Sequence, residues 1–128
     1  VKAREVMVPR AEIVSADRYS NSDSLKKIFI ETGLSKILIH RENIDHIVGF
    51  ISLIDLFNGP KNIKSIIHPI EFIPESMLIN DVLNLLTKRK SIAVVIDEYG
   101  GTSGIITIED IIEELFGEIE DEHDSPKF

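Results

Sequence analysis

The chain has 128 residues, 43% of them hydrophobic, with a formal net charge of -8; that length is enough for one domain with one sizeable core. It has no cysteine, which excludes a disulfide framework and a thiolate metal site and fits a reducing, cytosolic compartment. Apolar runs such as IAVVI at 92–96 fall far short of the roughly 18 residues of a membrane helix, and nothing at the N-terminus resembles a signal peptide.

From the N-terminus, VMVPR at 6–10 is an apolar pair closed by a proline. Leu25, Ile28, Phe29 and Thr32 then fall at i, i+3, i+4 and i+7 and predict a helix. An apolar strand, SKILIH from Ser35, a turn at RENIDH and a second strand lead into GFISLID at 49–55. The helix SLIDLFNG ends at Gly59 and Pro60, the expected stop signals. IIHPI at 66–70 resembles VMVPR. Ile79, Val82, Leu83 and Leu86 repeat the helical spacing, and Lys88, Arg89 and Lys90 close that helix, where cations complement its dipole or supply phosphate contacts. The strand SIAVVI from Ser91, a glycine turn at DEYGGTSG, the septet GIITIED at 104–110 and the helix TIEDIIEELFG, closed by Gly117, complete the order.

The two septets begin 55 positions apart, at Gly49 and Gly104, and the helices and strands before them recur at nearly that distance. An internal repeat changes the fold reading. Residues 1–59 form the first repeat, 60–65 a linker, 66–117 the second repeat and 118–128 an acidic tail. A unit of this size is marginal alone, so two are expected to bury a shared apolar sheet. The expected fold is α+β and pseudo-symmetric. Each repeat is a small three-stranded sheet with two helices, and a pseudo-twofold relates them.

Up to residue 108 acidic and basic residues balance, whereas 109–124 holds nine acids and no Lys or Arg. Acidity is a terminal feature, and no basic face is indicated that would track the phosphates of a nucleic acid. The tail reads either as a solvated helix end or as clustered carboxylates relieved by Mg²⁺, directly or as the Mg²⁺ of bound ATP. His40, His46, His68 and His123 fall in no metal-ligand spacing, so no tight protein metal site is expected. The start at Val1 reads as a piece cut from a longer protein, with any membrane anchor outside it.

Two readings fit the septets. In one, Ser52 and Thr107 cap the following helices and Asp55 and Asp110 complete capping boxes, while the glycines allow close strand packing. In the other, each strand-to-helix corner offers backbone N–H groups and a hydroxyl to a phosphate, the carboxylate takes the two hydroxyls of a ribose, and the glycine lets the ligand approach. Two such corners would flank a cleft between the repeats.

GFISLID and GIITIED resemble the nucleotide-contacting signature of CBS domains, and the two units resemble a CBS pair, or Bateman module. VMVPR and DEYGGTSGIITIEDIIEELFGEIEDEHD at 97–124 resemble the CorC/HlyC family, whose members are labelled magnesium and cobalt efflux proteins or TlyC-type hemolysins. The resemblance implies a regulatory, non-catalytic module that binds an adenosine nucleotide, ATP or AMP, with Mg accompanying ATP. It implies Thr107 on phosphate, Asp110 on ribose, and Val8, Leu34 and Ile37 as apolar walls. Ser52 and Asp55 would serve the mirror cleft, with residues near Ile67, Ser91 and Ala93. The family often carries a polar residue at Val8 and an aromatic at Leu34, so this cleft lacks a hydrogen bond and a stacking surface. A homodimer of modules is implied, packed through the septet helices, with Leu56, Phe57, Ile112 and Leu115 as contacts or as core. The parent protein would add a membrane domain and a C-terminal domain, with the module on the cytoplasmic side. The rival readings are a ligand-free dimerisation module and a nucleotide hydrolase, for which no residue set supplies a base and a positioned cation.

Overall fold

A computed structural model describes residues 1–123, with side chains described up to Gly117. The first unit runs β2 (Ser15–Asp17), α2 (Ser22–Thr32), β3 (Lys36–Arg41), β4 (Asn43–Ser52) and α3 (Leu53–Phe57). The second runs β5 (Glu71–Pro74), α4 (Ile79–Arg89), β6 (Ala93–Ile96), β7 (Thr102–Ile106) and α5 (Ile108–His123). Ahead of both lie α1 (Ala3–Val6) and β1 (Val8–Pro9). In each unit a helix crosses between two parallel strands and a hairpin adds the third, antiparallel strand. Local chemistry sets these boundaries. Asn21 caps α2 by accepting the Ser24 N–H at 2.8 Å, and Gly33 ends it in the left-handed region at φ 72. The hairpin of the second unit turns at Gly100, φ 85, as the glycine turn predicts. That of the first turns tightly at Glu42, φ 67, so β4 takes in most of the segment expected to be loop.

The expected α+β pair of small sheets is present, and the second sheet carries an additional strand. Its order is β1-β7-β6-β5, against β2-β3-β4 in the first. The extra strand comes from an exchange of opening segments. Val8 and Pro9 pair with Ile105 and Gly104 of the second unit, and Ala3 is fully buried in the second core. Reciprocally, Ile63 is buried in the first core, Ile66 and Ile67 pack against it, and His68 bridges Phe50 of β4. The expected division at 60–65 therefore does not coincide with the packing division: the 3₁₀ turn Ile63–Ile66 is part of the first core, and residues 1–9 pack with the second.

Strand alternation distributes the apolar side chains over three cores. Ile37, Ile39 and Ile51 face the first core with Leu25 and Leu56, and Ala93, Val95 and Ile106 face the second with Val82 and Leu86. The opposite faces meet: Leu38, Ile47 and Phe50 pack on Ile92 and Val94, the shared core that two marginal units require. Each fully buried aliphatic side chain contributes roughly 1.5–3 kcal/mol. A polar clasp adds direction to this contact. Thr102, the one buried polar residue among those described, at 2% exposure, donates its N–H to Asp45 and its hydroxyl to the Ile44 carbonyl, both at 2.9 Å. Arg10 donates to the Thr102 carbonyl at 3.0 Å and is paired with the Asp45 carboxylate.

Gly117 does not close the last helix, because α5 continues to His123; a single glycine inside a helix costs about 1 kcal/mol against alanine, which does not by itself end one. The side chains of the acidic stretch 118–128 lie outside the described residues. Among the described residues, no helix is long and apolar enough to cross a membrane, and no group of three or more metal-ligating side chains is assembled.

Candidate functional site

The exchange of openings builds a cleft. β1 lies directly against the septet strand β7, so close that a Cβ on Gly104 would stand 2.4 Å from the Val8 carbonyl oxygen. Only glycine permits this approach. The glycine of the septet thus admits the crossing backbone, not a ligand. Gly49 does the same for the other crossing, its hypothetical Cβ lying 2.3 Å from the His68 carbonyl oxygen.

Val8 leads into a cavity of about 200 Å³ between the units. Val8, Glu12, Ile13 and Val14 line it from the opening segment, Leu34, Lys36 and Leu38 from the first unit, and Ile92, Ile105, Thr107 and Asp110 from the second. Four side chains singled out in the sequence, Val8, Leu34, Thr107 and Asp110, therefore converge. Thr107 and Asp110 form the reciprocal capping box: Thr107 N–H donates to Asp110 Oδ2 at 2.9 Å, and Asp110 N–H donates to Thr107 Oγ1 at 3.2 Å. The box leaves the Thr107 hydroxyl proton free to donate. Asp110 Oδ1 makes no hydrogen bond among the described residues, so the carboxylate retains an uncommitted acceptor; Asp110 borders this cavity and also a second depression with Glu5, Glu113 and Glu114. Capping and ligand binding are compatible here, because each side chain has more hydrogen-bonding capacity than the cap consumes.

Beside the cavity lies a more open groove of about 330 Å³ lined by Lys36, Lys90, Ser91, Thr107, Ile108, Glu109 and Ile112. Lys36 and Thr107 belong to both. The cavity is mainly apolar, with the Asp110 and Glu12 carboxylates and Lys36 in its lining. The groove carries the Thr107 and Ser91 hydroxyls, two ammonium groups and the Glu109 carboxylate.

Other expected placements differ. Ile37 is 1% exposed in the first core; the alternation of β3 turns Leu38, not Ile37, toward the cavity. Ser91 belongs to the groove of the first cleft, with its hydroxyl donated to the Pro69 carbonyl at 3.0 Å, and Ala93 is fully buried in the second core. Ser52 stands at the start of α3 but makes no side-chain cap, and Asp55 Oδ2 lies 2.5 Å from His68 Nε2. Ile67 lines a separate cavity with Arg18, Tyr19, Val48 and Lys64. Leu56 is core at 0% exposure, whereas Phe57, Ile112 and Leu115 are 57%, 42% and 36% exposed. Lys36 was not anticipated from sequence; its one signal was a cation opening an otherwise apolar strand.

Arg10 and Asp45 hold the opening segment in place from outside the cavity. The hydrogen bond from Arg10, then that from the Thr102 N–H, holds the Asp45 carboxyl below the ordinary aspartate value, and Asp45 in turn raises the Arg10 guanidinium.

The family model for the CBS domain matches residues 63–117. The chain is 37% identical to the magnesium and cobalt efflux protein CorC of Vibrio cholerae, over 97% of this chain and 45% of that protein. It is 38% identical to hemolysin C of Brachyspira hyodysenteriae, over 94% of this chain and 47% of that protein. It also superposes on the CBS domain of a bacterial CNNM/CorC family Mg²⁺ transporter in complex with ATP, with a TM-score of 0.86 and 37% identity, covering 91% of this chain and 88% of that one. The chain belongs to the CorC/HlyC family of CBS domains. This CBS chain spans less than half the length of the two curated relatives it matches. The paired septets that carried the resemblance are the two corners of the CBS fold, and the inter-unit cavity lies at the second.

Proposed function

We propose that this chain is the regulatory, non-catalytic adenosine-nucleotide-binding module of a CorC/HlyC-type protein associated with magnesium and cobalt transport. The base and ribose occupy the apolar cavity, with the ribose hydroxyls on Asp110 and Val8, Leu34 and Leu38 as walls. The phosphates run past Thr107 into the groove of Lys36 and Lys90, where Mg²⁺ accompanies ATP. The observation that carries this reading is the convergence, from both units, of an apolar wall, a carboxylate with an uncommitted oxygen and two ammonium groups around two neighbouring depressions that share Lys36 and Thr107, with Glu12 and Glu109 at their margins. The cavity alone is smaller than the roughly 300–1,000 Å³ of small-molecule pockets; the cavity and groove together suit an elongated ligand. The ATP complex of the structural relative supports the same ligand class.

Because the cavity walls come from both units, a bound nucleotide favours the arrangement that closes them around it, and it shifts that equilibrium only by its differential affinity for the two arrangements. In the parent protein the bias would pass through α5 toward the membrane and C-terminal domains, on the cytoplasmic side. Titration calorimetry with ATP, ADP and AMP, with and without Mg²⁺, tests the reading. Nucleotide at a hundredfold its Kd adds about 2.7 kcal/mol of stability, and Asp110→Ala removes that shift.

The second reading, a dimerisation module, rests on a different observation. Ile54, Phe57, Ile112 and Phe116 are 72%, 57%, 42% and 61% exposed on the two septet helices, an apolar surface suited to a second copy. Both properties fit one molecule. The ligand-free form of this reading predicts no thermal shift with any adenylate.

A further inference from the structure

We propose that the first unit carries a second binding site, for a small organic anion: a phosphate or carboxylate borne on a flat apolar body. The site is the cavity of about 470 Å³ lined by Arg18, Tyr19, Val48, Lys64 and Ile67, a volume within the roughly 300–1,000 Å³ of small-molecule pockets. None of these five residues lines the cavity or the groove between the units.

Local structure fixes the walls. Gly49 pairs with Ile39 and Ile47 with His40, so Val48 is the extra residue of a bulge in β4, and a bulge re-aims the side chain it inserts. Val48 is 40% exposed. Beyond β2 the chain enters a tight turn, where the Arg18 N–H donates to the His40 carbonyl at 2.9 Å, the Tyr19 N–H to Asp17 Oδ1 at 2.8 Å and the Ser20 N–H to the Asp17 carbonyl at 3.0 Å. The Arg18 guanidinium carbon lies 4.6 Å from the Tyr19 ring centroid. This cation–π contact leaves the guanidinium N–H groups free to donate. Lys64 comes from the 3₁₀ turn Ile63–Ile66. Among the described residues the lining holds two cations and no carboxylate, and neither Arg18 nor Lys64 takes part in an ion pair. Two cations ask for an anionic head, and an aromatic ring with two aliphatic side chains asks for an apolar body.

The second unit shows the same framework with its side chains bonded to each other. There Val95 pairs with Gly104 and Ile96 with Thr102, which makes Ser103 the extra residue. Glu75 follows the core residue Ile73 by two places, as Arg18 follows Ala16. Ser103 donates its hydroxyl to Glu75 Oε2 at 2.6 Å, and the depression beside them, about 270 Å³, carries Arg4 among Glu75, Asp97 and Glu98. Val48 has no hydroxyl or carboxylate to offer Arg18. The repeat therefore places an uncommitted cation in the first unit where the second holds a bonded acid.

Heteronuclear NMR on the isotope-labelled chain tests the site, with naphthyl phosphate as the probe and inorganic phosphate and naphthol as its separate halves. Naphthyl phosphate is expected to shift the amides of Arg18, Tyr19, Val48, Lys64 and Ile67, and each half to bind about tenfold more weakly or less. Arg18→Glu, which gives the first unit the charge of the second, and Lys64→Glu should each weaken naphthyl phosphate by about tenfold or more. Tyr19→Ala should weaken naphthyl phosphate and leave inorganic phosphate unchanged. Arg18→Gln replaces the glutamate variant if the latter's circular dichroism departs from wild type. Saturating ATP with Mg²⁺, and the Asp110→Ala variant, should leave the binding as it is, so the outcome does not depend on the nucleotide reading of the other cleft. Shifts confined to Lys36, Lys90 and Thr107, or an Arg18→Glu chain that binds naphthyl phosphate like wild type, overturn the proposal. So does a chain that ignores naphthyl phosphate but binds phosphatidylglycerol vesicles through Arg18 and Lys64, since this face would then meet a membrane surface.

Discussion

Gly104 and Val8 touch through their backbones, with no room for a side chain between them: a Cβ on residue 104 would stand 2.4 Å from the Val8 carbonyl oxygen and 2.8 Å from Met7 Sδ. Gly104→Ala must therefore push β1 off β7. The expected cost is about 1–3 kcal/mol, with nucleotide affinity falling in parallel because Val8 is a cavity wall. Gly117 supplies the opposite case, since a Cβ there meets nothing within 4 Å inside α5. Gly117→Ala is expected to raise stability by about 0.5–1 kcal/mol. Thermal denaturation of both variants checks the pair: neutrality at 104 would show that the close approach is misplaced, and a loss at 117 that the helix position there is not open.

The two septets make unequal use of their hydroxyls. Thr107 completes a capping box with Asp110, whereas Ser52 makes no cap. Thr107→Ala is expected to cost about 0.5–2 kcal/mol and to remove the phosphate donor. Ser52→Ala should stay within about 0.5 kcal/mol of wild type. Thr107→Ser keeps both functions and should match wild type; for Thr107→Ala the denaturant midpoint without ATP reports the loss of the cap, and the further difference from wild type with ATP reports the loss of the ligand contact.

These asymmetries mark the limit of what the sequence discloses. The repeat and the α+β pair follow from period and motif, because helical and strand spacing record which face is apolar, whereas the convergence of Val8, Leu34, Thr107 and Asp110 is implied by the resemblance to CBS domains and by no spacing in the chain. The exchange of openings is not written that way: two paired residues in β1 and one bridge at His68 are too few to leave a periodic signal. Ile37 and Leu38 are both apolar, and only the register of β3 decides which of them faces the cavity. His68, in IIHPI, stands in the sequence as a lone histidine. Its contact with Asp55 spans 13 positions, and nothing local announces it.

Asp45 links pH to the junction between the units. Its carboxyl is held below the ordinary aspartate value of 3.8, first by the hydrogen bond from Arg10 and then by that from the Thr102 N–H. A group whose pKa is lower folded than unfolded stabilises the fold fully above its unfolded value, and that stabilisation is lost as pH falls through the folded value. Asp45→Asn removes the charge. Wild type is therefore expected to melt above the variant near neutral pH, and the gap should narrow as pH drops below about 4. Melting curves from pH 7 to pH 3 check this; a gap that widens on acidification has the wrong sign.

Lys90 sets stability against binding. It ends α4 in the left-handed region at φ 52, where α2 ends with Gly33 at φ 72. A non-glycine residue in that conformation costs roughly 1–2 kcal/mol. Lys90→Gly removes that cost, partly offset by the greater freedom of glycine in the unfolded chain, and should stabilise the ligand-free protein by about 0.5–1 kcal/mol. The same substitution deletes one of two ammonium groups in the groove beside Thr107, so ATP affinity should fall, by more than AMP affinity, because only ATP extends phosphates past the hydroxyl. Lys90→Ala deletes the charge and keeps the backbone strain. Both variants should therefore lose ATP affinity alike, and only the glycine variant should gain stability. Equal ATP affinity in wild type and both variants would remove Lys90 from the phosphate path, while a glycine variant no more stable than wild type would deny the helix end its strain.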